Sequence, residues 1–555
     1  MGNRKRVLAS AVIVTAVAAA AFIGAGRDDF GLGRNMELLV NMMRELSVNY
    51  VDPVSGDDLM ANAAEGMTGR LDPYTEYLSE ESMKNFELAA TGKYGGVGAI
   101  IRKRDDYVVI AEPYKDSPAD RAGLRAGDRI VAIDGEDARG FSTEDVSSRL
   151  KGDPNTYVKV TVERLADGER VTHNIKRERI SISGVTYSGW AADGIGIICH
   201  SDFTEGCYDD LRAAVERLRS EGELRGLILD YRNNGGGILQ EAVKIVSLFV
   251  PKGTEVVAMK GRAAEANRTY KTPYEPLLPD IPLAVLVNGN TASSSEIVAG
   301  SLQDMDRAVL LGSKSFGKGL VQSTIPIGYD AYVKMTTAKY YIPSGRCIQN
   351  IDYSSHDDRI REMPDSLVRE FATRSGRKVY DGGGIMPDIR IEPEYISRFA
   401  LTIYAMGFID EFCDDYVRRH PDAKVDNRGF VLSEGEYAGF CEFMKGKDVP
   451  YTSDTRRALE HLRKAVEADK YTELYGELMS QMESRLDDDT QSNLQTYRKE
   501  IAESIESGIA TRYNYARGAA ERAVAADKSV AEAVSLLNDR AEYDRILAEQ
   551  DTARK

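Results

Sequence analysis

Apolar positions change period three times along the chain, and each change marks a different kind of structure. In the first part Met36, Leu38, Leu39, Met42, Met43 and Leu46 recur at helical spacing and predict a helix over 34–48. A second helix is expected over 57–70 and a third over 80–88. Between them Pro73 restricts Asp72 to extended geometry and marks a turn in the run Leu71 to Leu78. From Tyr94 the pattern shortens to strand-like alternation. From Ser183 apolar runs of buried type alternate with amphipathic helices. After Pro393 the spacing is helical again.

The second region opens on a glycine-rich stretch, Tyr94, Gly95, Gly96, Val97 and Gly98, which leads into a strand. Further strands are expected at 107–111, 129–133, 157–164 and 169–176, with a short helix opened by Ser117-Pro118-Ala119 and a longer one over 143–150. By itself such a glycine-rich stretch reads as a plain turn. With the run SPADRAGLRAGDRIVAIDG in its middle, the order of elements resembles a PDZ domain. The resemblance implies that Tyr94 to Gly98 offer backbone amides to a peptide's terminal carboxylate, the peptide adding as an extra strand.

The third region predicts strands at 194–198, 225–230, 283–287, 308–311 and 331–336, and helices at 207–219, 239–249 and 294–305. Strands alternating with helices imply a mixed crossover sheet. Two polar loops, 232–237 and 288–295, follow the most apolar strands, and open α/β sheets place their sites at such carboxyl ends. Residues 344–379 are charged and broken, consistent with a cap or an edge excursion, and 381–388 turn back into a strand at 389–391. Helices are expected over 399–419, 434–445, 453–468, 471–486, 493–516 and 519–536. They carry no repeat of about 34 or 40 residues, so a solenoid is not expected.

Composition narrows the partners. At 555 residues the chain needs several cores. Its net charge of −16 argues against nucleic acid, which calls for a basic field. Cys199, Cys207, Cys347, Cys413 and Cys441 are scattered without CxxC spacing. No disulfide framework is expected, and Cys199 pairs with Cys207 only if the fold brings them together. The histidines lack HExxH spacing, so neither a metal nor another cofactor is expected. Arg4-Lys5-Arg6 precede an uncharged apolar run over 7–26, which reads as an export signal or a retained anchor. The positive-inside rule then places the bulk of the chain outside the cytoplasm.

The candidate chemistry lies between Asn288 and Gln322. Ser293 with Glu296 three residues on is a capping box at a helix start, and Thr291, Ser294 and Ser295 are rival hydroxyls in the same turn. Lys318 sits between Gly317 and Gly319, with Phe316, Leu320 and Val321 nearby. A serine hydroxyl needs a neighbour to take its proton. A lysine does so only if its pKa falls by about three units, roughly 4 kcal/mol, which desolvation can supply. The Gln322 amide is spaced to orient that amine. Backbone amides of the Gly235-Gly236-Gly237 loop and of Ser294 are candidates for stabilising an oxyanion. The glycine loop lacks a Walker lysine, so a nucleotide site is not expected.

LDPYTEYL, the PDZ-like region, LILDYRNNGGG, TASSSE and FGKGLVQ, in that order, closely resemble the carboxyl-terminal processing (tail-specific) serine peptidases, family S41. The resemblance covers about residues 34–393. It implies Ser293 as nucleophile, Lys318 as general base, Gln322 as its orienting partner, and Gly237 and Ser294 as oxyanion donors. Together with the residue patterns at the two ends of the chain, it gives a multidomain α+β fold: a signal or anchor at 1–26, an N-terminal helical module at 27–90, a PDZ domain at 91–180, a mixed α/β peptidase core of ClpP/crotonase-like type at 181–393, and a C-terminal helical domain at 394–555. The expected substrates are exported or cell-envelope proteins taken by unstructured C-terminal tails, with a homo-oligomer or an adaptor as possible assemblies. Tyr231, Cys199 and His200 depart from the family's usual side chains, residues 346–380 are longer, and the helical region exceeds the common core. Two other readings stand beside this one: a Ser-His hydrolase using His200, and a catalytically inactive PDZ-bearing envelope scaffold.

Overall fold

The computed structural model describes residues 29–164, 167–351, 368–486 and 489–548. The expected signal or anchor at 1–26 and part of the charged stretch at 344–379 lie outside the described residues. Among the described residues no helix is long and apolar enough to cross a membrane.

The described residues form two compact units, the smaller made of residues 29–83 with Gln322–Thr336, the larger of the remainder. In the smaller unit helix Asp29–Asn49 begins earlier than its apolar spacing predicts, and helix Gly56–Thr68 follows. Ser55 caps the latter, its hydroxyl accepting from the Asp57 and Asp58 amides. The turn at Pro73 is set by the Asp72 carboxylate, which accepts from Tyr74 N, Thr75 N and the Thr75 hydroxyl, each at 2.9 Å. Strand Glu76–Leu78 then pairs antiparallel with residues 332–334.

In the larger unit, the PDZ-like region is an antiparallel sheet in the order Ala99–Arg104, Tyr107–Pro113, Arg129–Ile133, Tyr157–Glu163, Arg170–Lys176. Alternation along the fourth strand buries Val158, Val160 and Val162 against Ile110, Ile130 and Val146 of helix Thr143–Leu150. The glycine-rich stretch is not all loop. Lys93–Gly96 is a strand paired with Glu178–Ser181, which leaves Val97 and Gly98 as the turn into the edge strand.

The central sheet has six strands in the order Val185–Ala192, Ile195–His200, Gly226–Asp230, Leu283–Val287, Val309–Gly312, Ile389–Arg390. The first pair is antiparallel and the rest are parallel. Buried on both faces, the middle strands read as continuous apolar runs, as parallel strands do. Helices Cys207–Glu221, Leu239–Val246 and Ser294–Asp304 cover one face. The other face is covered by the end of the chain. Val530, Ala533, Leu536 and Leu537 of helix Lys528–Asn538, and Tyr543 and Ile546 of helix Arg540–Ala548, pack on Ile195, Ile197, Ile228, Ala284, Leu286 and Leu311. The Tyr543 hydroxyl accepts from Leu283 N at 2.9 Å and donates to Leu283 O at 3.0 Å.

The other C-terminal helices form their own core around Phe399, Ile409, Phe412, Phe440, Leu494, Ile501 and Ile505. Helix Arg498–Ala526 is broken at Asn514 and Tyr515, whose dihedrals are not helical. Ion pairs tie this core to the outer face of the PDZ-like edge strand. Arg102 meets Asp410 at 2.8 Å, Arg104 meets Asp414, and Arg512 reaches Asp410 at 2.9 Å and Asp414 at 2.6 Å. The five cysteines are free thiols.

Candidate active site

Gly226–Asp230 and Leu283–Val287 are neighbouring parallel strands, with Leu227 opposite Leu283 and Asp230 opposite Leu286. The loops that leave them therefore emerge side by side at the carboxyl edge of the sheet. Asparagines join the loops. Asn233 N donates to Asn288 Oδ1 and Asn288 Nδ2 returns a bond to Asn233 Oδ1, both at 3.0 Å.

Asn234 is the pivot of the glycine loop and is fully buried. Its Nδ2 donates to His200 O at 2.7 Å and its Oδ1 accepts from Gly236 N at 2.9 Å. Its carbonyl accepts from Ala292 N at 2.9 Å and from the Ser295 hydroxyl at 3.0 Å. One side chain and its own backbone thus join the end of a strand, the glycine loop and the serine turn. Gly236 must be glycine: its φ is +97°, and a Cβ there would stand 2.7 Å from Ser293 Cβ. Its N–H is spent on Asn234, so it offers no donor to a substrate.

The four hydroxyls of the turn separate by environment. Thr291 donates to Tyr231 O at 2.9 Å, Ser294 to Gly237 O at 2.8 Å and Ser295 to Asn234 O at 3.0 Å, and all three residues are at most 1% exposed. Ser293 is only half-buried and has φ 57°, ψ −117°, a conformation that costs an L-residue about 1–3 kcal/mol. Gly237 and Ser294, the candidate oxyanion donors, are brought together by the Ser294–Gly237 bond.

Lys318 is half-buried and its backbone is held tightly. Gly317 before it has φ +87°, and a Cβ there would lie 2.6 Å from Asn350 Cβ. Gly319 after it donates to Gln349 Oε1 at 2.8 Å. Two side chains reach both Ser293 and Lys318. The Glu296 carboxylate, fully buried, accepts from Ser293 N at 2.8 Å and Lys318 N at 2.9 Å on Oε2, and from Gly317 N at 2.7 Å and the Ser315 hydroxyl at 2.6 Å on Oε1. Burial pushes this carboxyl up to about 7 against those four donors, which pull it down. The Tyr340 hydroxyl lies 3.2 Å from Ser293 O and also donates to Lys318 O.

Gln322 falls in the smaller unit, where its Nε2 donates to Thr336 Oγ1 at 3.2 Å. His200 is 1% exposed, its ring 4.5 Å from that of Phe203 and 5.5 Å from that of Tyr231, and burial lowers its pKa to about 4. Its described link to the site is its carbonyl, through Asn234. Of the PDZ stretch, Tyr94, Gly95 and Gly96 belong to the strand paired with Glu178–Ser181, and Gly98 O accepts from Tyr114 N and the Ser117 hydroxyl.

Asn234 and Tyr340 carry no signal of a role in the sequence, and Glu296 reads there as a helix cap alone. Nor does Arg232 show its role in the sequence. It pairs with Asp230 at 2.6 Å and with Asp527 at 2.7 Å, tying the start of the glycine loop to the cap of helix Lys528–Asn538.

Three family models match the chain: peptidase family S41 over residues 194–356, a PDZ domain over 109–164, and the C-terminal helical domain of a probable PDZ-protease over 399–537. A carboxy-terminal-processing protease of Bartonella bacilliformis is 34% identical over 327 residues, covering 58% of this chain and 74% of its own. A probable CtpA-like serine protease of Staphylococcus aureus is 35% identical over 349 residues, covering 62% and 69%. Among solved structures, a photosystem II D1 C-terminal processing protease is 26% identical over 65% of this chain and 94% of its own, with a TM-score of 0.35. Sharing a third of their residues over most of the relatives' length, the chain belongs to peptidase family S41 and is a PDZ-bearing serine peptidase of the carboxyl-terminal-processing kind.

Proposed function

We propose that this peptidase works through a Ser293–Lys318 dyad and takes its substrates by their C-terminal tails. The observation that carries the reading is the fate of the four hydroxyls: three are buried and spent on backbone carbonyls, while Ser293 reaches solvent from a strained turn. Strain of this kind is kept where the surroundings enforce it, and it aims a side chain out of a helix start. Neutral Lys318 takes the Ser293 proton as Oγ attacks the scissile carbonyl. The C–N bond then breaks, the amine leaves with that proton, and water, deprotonated by the same lysine, releases the acyl group. Amides of Gly237 and Ser294 stabilise the oxyanion.

In this reading the Tyr94–Gly98 stretch presents amides to the tail carboxylate, with Val97 and Gly98 at its turn, and the tail lies along strand Ala99–Arg104. The substrates are exported or envelope proteins, and the chain acts on the extracytoplasmic side, held or led there by residues 7–26. The domains run 27–90, 91–180, 181–393 and 394–555. A protein bearing a randomised unstructured C-terminus, incubated with wild type, Lys318→Arg and His200→Phe and read by mass spectrometry, tests the base. Arginine stays charged and cannot accept the proton. Lys318→Arg should leave the tail uncut, and His200→Phe should cut it. The opposite pattern would hand the base to His200.

A further inference from the structure

The geometry points to Glu296 and Tyr340 as a two-sided clamp of positioning residues that sets the register between Ser293 and Lys318. This inference rests on the dyad reading and deepens it. Ser293 and Lys318 lie on different segments, one on the turn before helix Ser294–Asp304 and the other on the loop before strand Leu320–Gly328. Neither segment has regular pairing across that gap to fix its spacing. Apart from one backbone bond, Phe316 N to Thr291 O at 3.0 Å, which lies two residues from each, what spans it is one carboxylate and one phenol. Glu296 takes the N–H of both residues on a single oxygen, Oε2, so these two amides converge on one point. Tyr340, 1% exposed and fixed in strand Ala331–Tyr341, presents its hydroxyl to the carbonyls of the same two residues.

The N–H and the C=O of both residues are therefore referenced to common atoms. The second carboxylate oxygen is itself anchored by Gly317 N and the Ser315 hydroxyl, and Ser315 Oγ accepts from Ile385 N at 2.6 Å. A plain helix cap needs only the Ser293 amide. The other three donors come from the lysine loop, and a cap does not account for a fully buried carboxylate collecting them. A displacement of about 1 Å between reacting groups costs on the order of 100-fold in rate, so a clamp of this kind acts on turnover more than on substrate capture.

The test measures kcat and KM on a fluorogenic tail peptide for wild type, Tyr340→Phe, Glu296→Gln and Ser293→Ala, with the fraction of folded chain taken from the melting curve of each. Tyr340→Phe deletes one oxygen and keeps the ring, so it decides the matter if Glu296→Gln fails to fold. The expected result is a fall in kcat of about 10- to 100-fold per folded molecule in Tyr340→Phe, with KM within about twofold of wild type. A kcat unchanged in Tyr340→Phe, a loss carried by KM, or a loss that tracks unfolded chain overturns the clamp. Ser293→Ala separates the two ideas. If it still turns over, the dyad reading fails. If it is dead while Tyr340→Phe matches wild type, the dyad stands and the clamp falls.

Discussion

At Ser293 backbone strain, burial and hydrogen bonding all converge on one residue, and Glu296 carries the cost of holding it there. An ionised carboxylate with no exposure is expensive, which is why its pKa rises from 4.5 to about 7. A carboxyl whose folded pKa is raised adds stability that is fully present below its unfolded pKa and is lost as pH climbs through the folded one. Between pH 4.5 and 7 ionising Glu296 should therefore remove roughly 3 kcal/mol of stability. Activity should run the other way, because four donors need a carboxylate, so kcat should fall as pH drops through about 7. Melting curves of wild type and Glu296→Gln across this range should show wild type losing stability with rising pH relative to the variant. Parallel curves would contradict the assignment. At this scale the sequence displayed the candidates but not their partners. TASSSE exposed four hydroxyls, and only burial separates Ser293 from the other three. Glu296 looked complete as a local cap, since its partners on the lysine loop lie 19 to 22 residues away and leave no trace in spacing.

Among the elements, the buried strands were the most legible, because a strand covered on both faces is a continuous apolar run. What covers them was not. Helix Lys528–Asn538 shows an apolar face in sequence, yet a face says only that something is buried and not against which partner. The structure sets it on the sheet, with Tyr543 as the peg that satisfies both backbone groups of Leu283. Tyr543→Phe leaves Leu283 N–H buried without that partner and should cost about 1–3 kcal/mol, seen as a lower denaturation midpoint. A midpoint equal to wild type would mean the helix is held by apolar contact alone. The glycine-rich PDZ stretch reads as loop because glycine signals turns. Gly95 and Gly96 are instead strand residues crossed closely by neighbours: a Cβ on Gly95 would stand 2.1 Å from Gly152 O.

Across the larger unit, the C-terminal helices do two jobs, covering the peptidase sheet and bracing the PDZ-like edge strand. Arg102 and Arg104 alternate with Ile101 and Lys103, so the face opposite the PDZ core is the one that meets Asp410 and Asp414. The Asp414 side chain is 5% exposed and serves both Arg104 and Arg512. Removing it as Asp414→Ala leaves two guanidinium groups short of their carboxylate, a loss typically worth about 3–5 kcal/mol. Amide exchange along strand Ala99–Arg104 should accelerate in that variant while strand Leu283–Val287 stays protected. Unchanged exchange at the edge strand would show that the brace does not hold it.

The central claim, that Ser293 is the attacking atom's residue, is tested most directly by trapping the acyl-enzyme. Wild-type protein mixed with a tail-bearing substrate, quenched in acid within the first turnover and digested, should yield one modified peptide, with the acyl mass on Ser293. The same mass on Thr291, Ser294 or Ser295, or steady turnover with no ester on this turn at all, would contradict it.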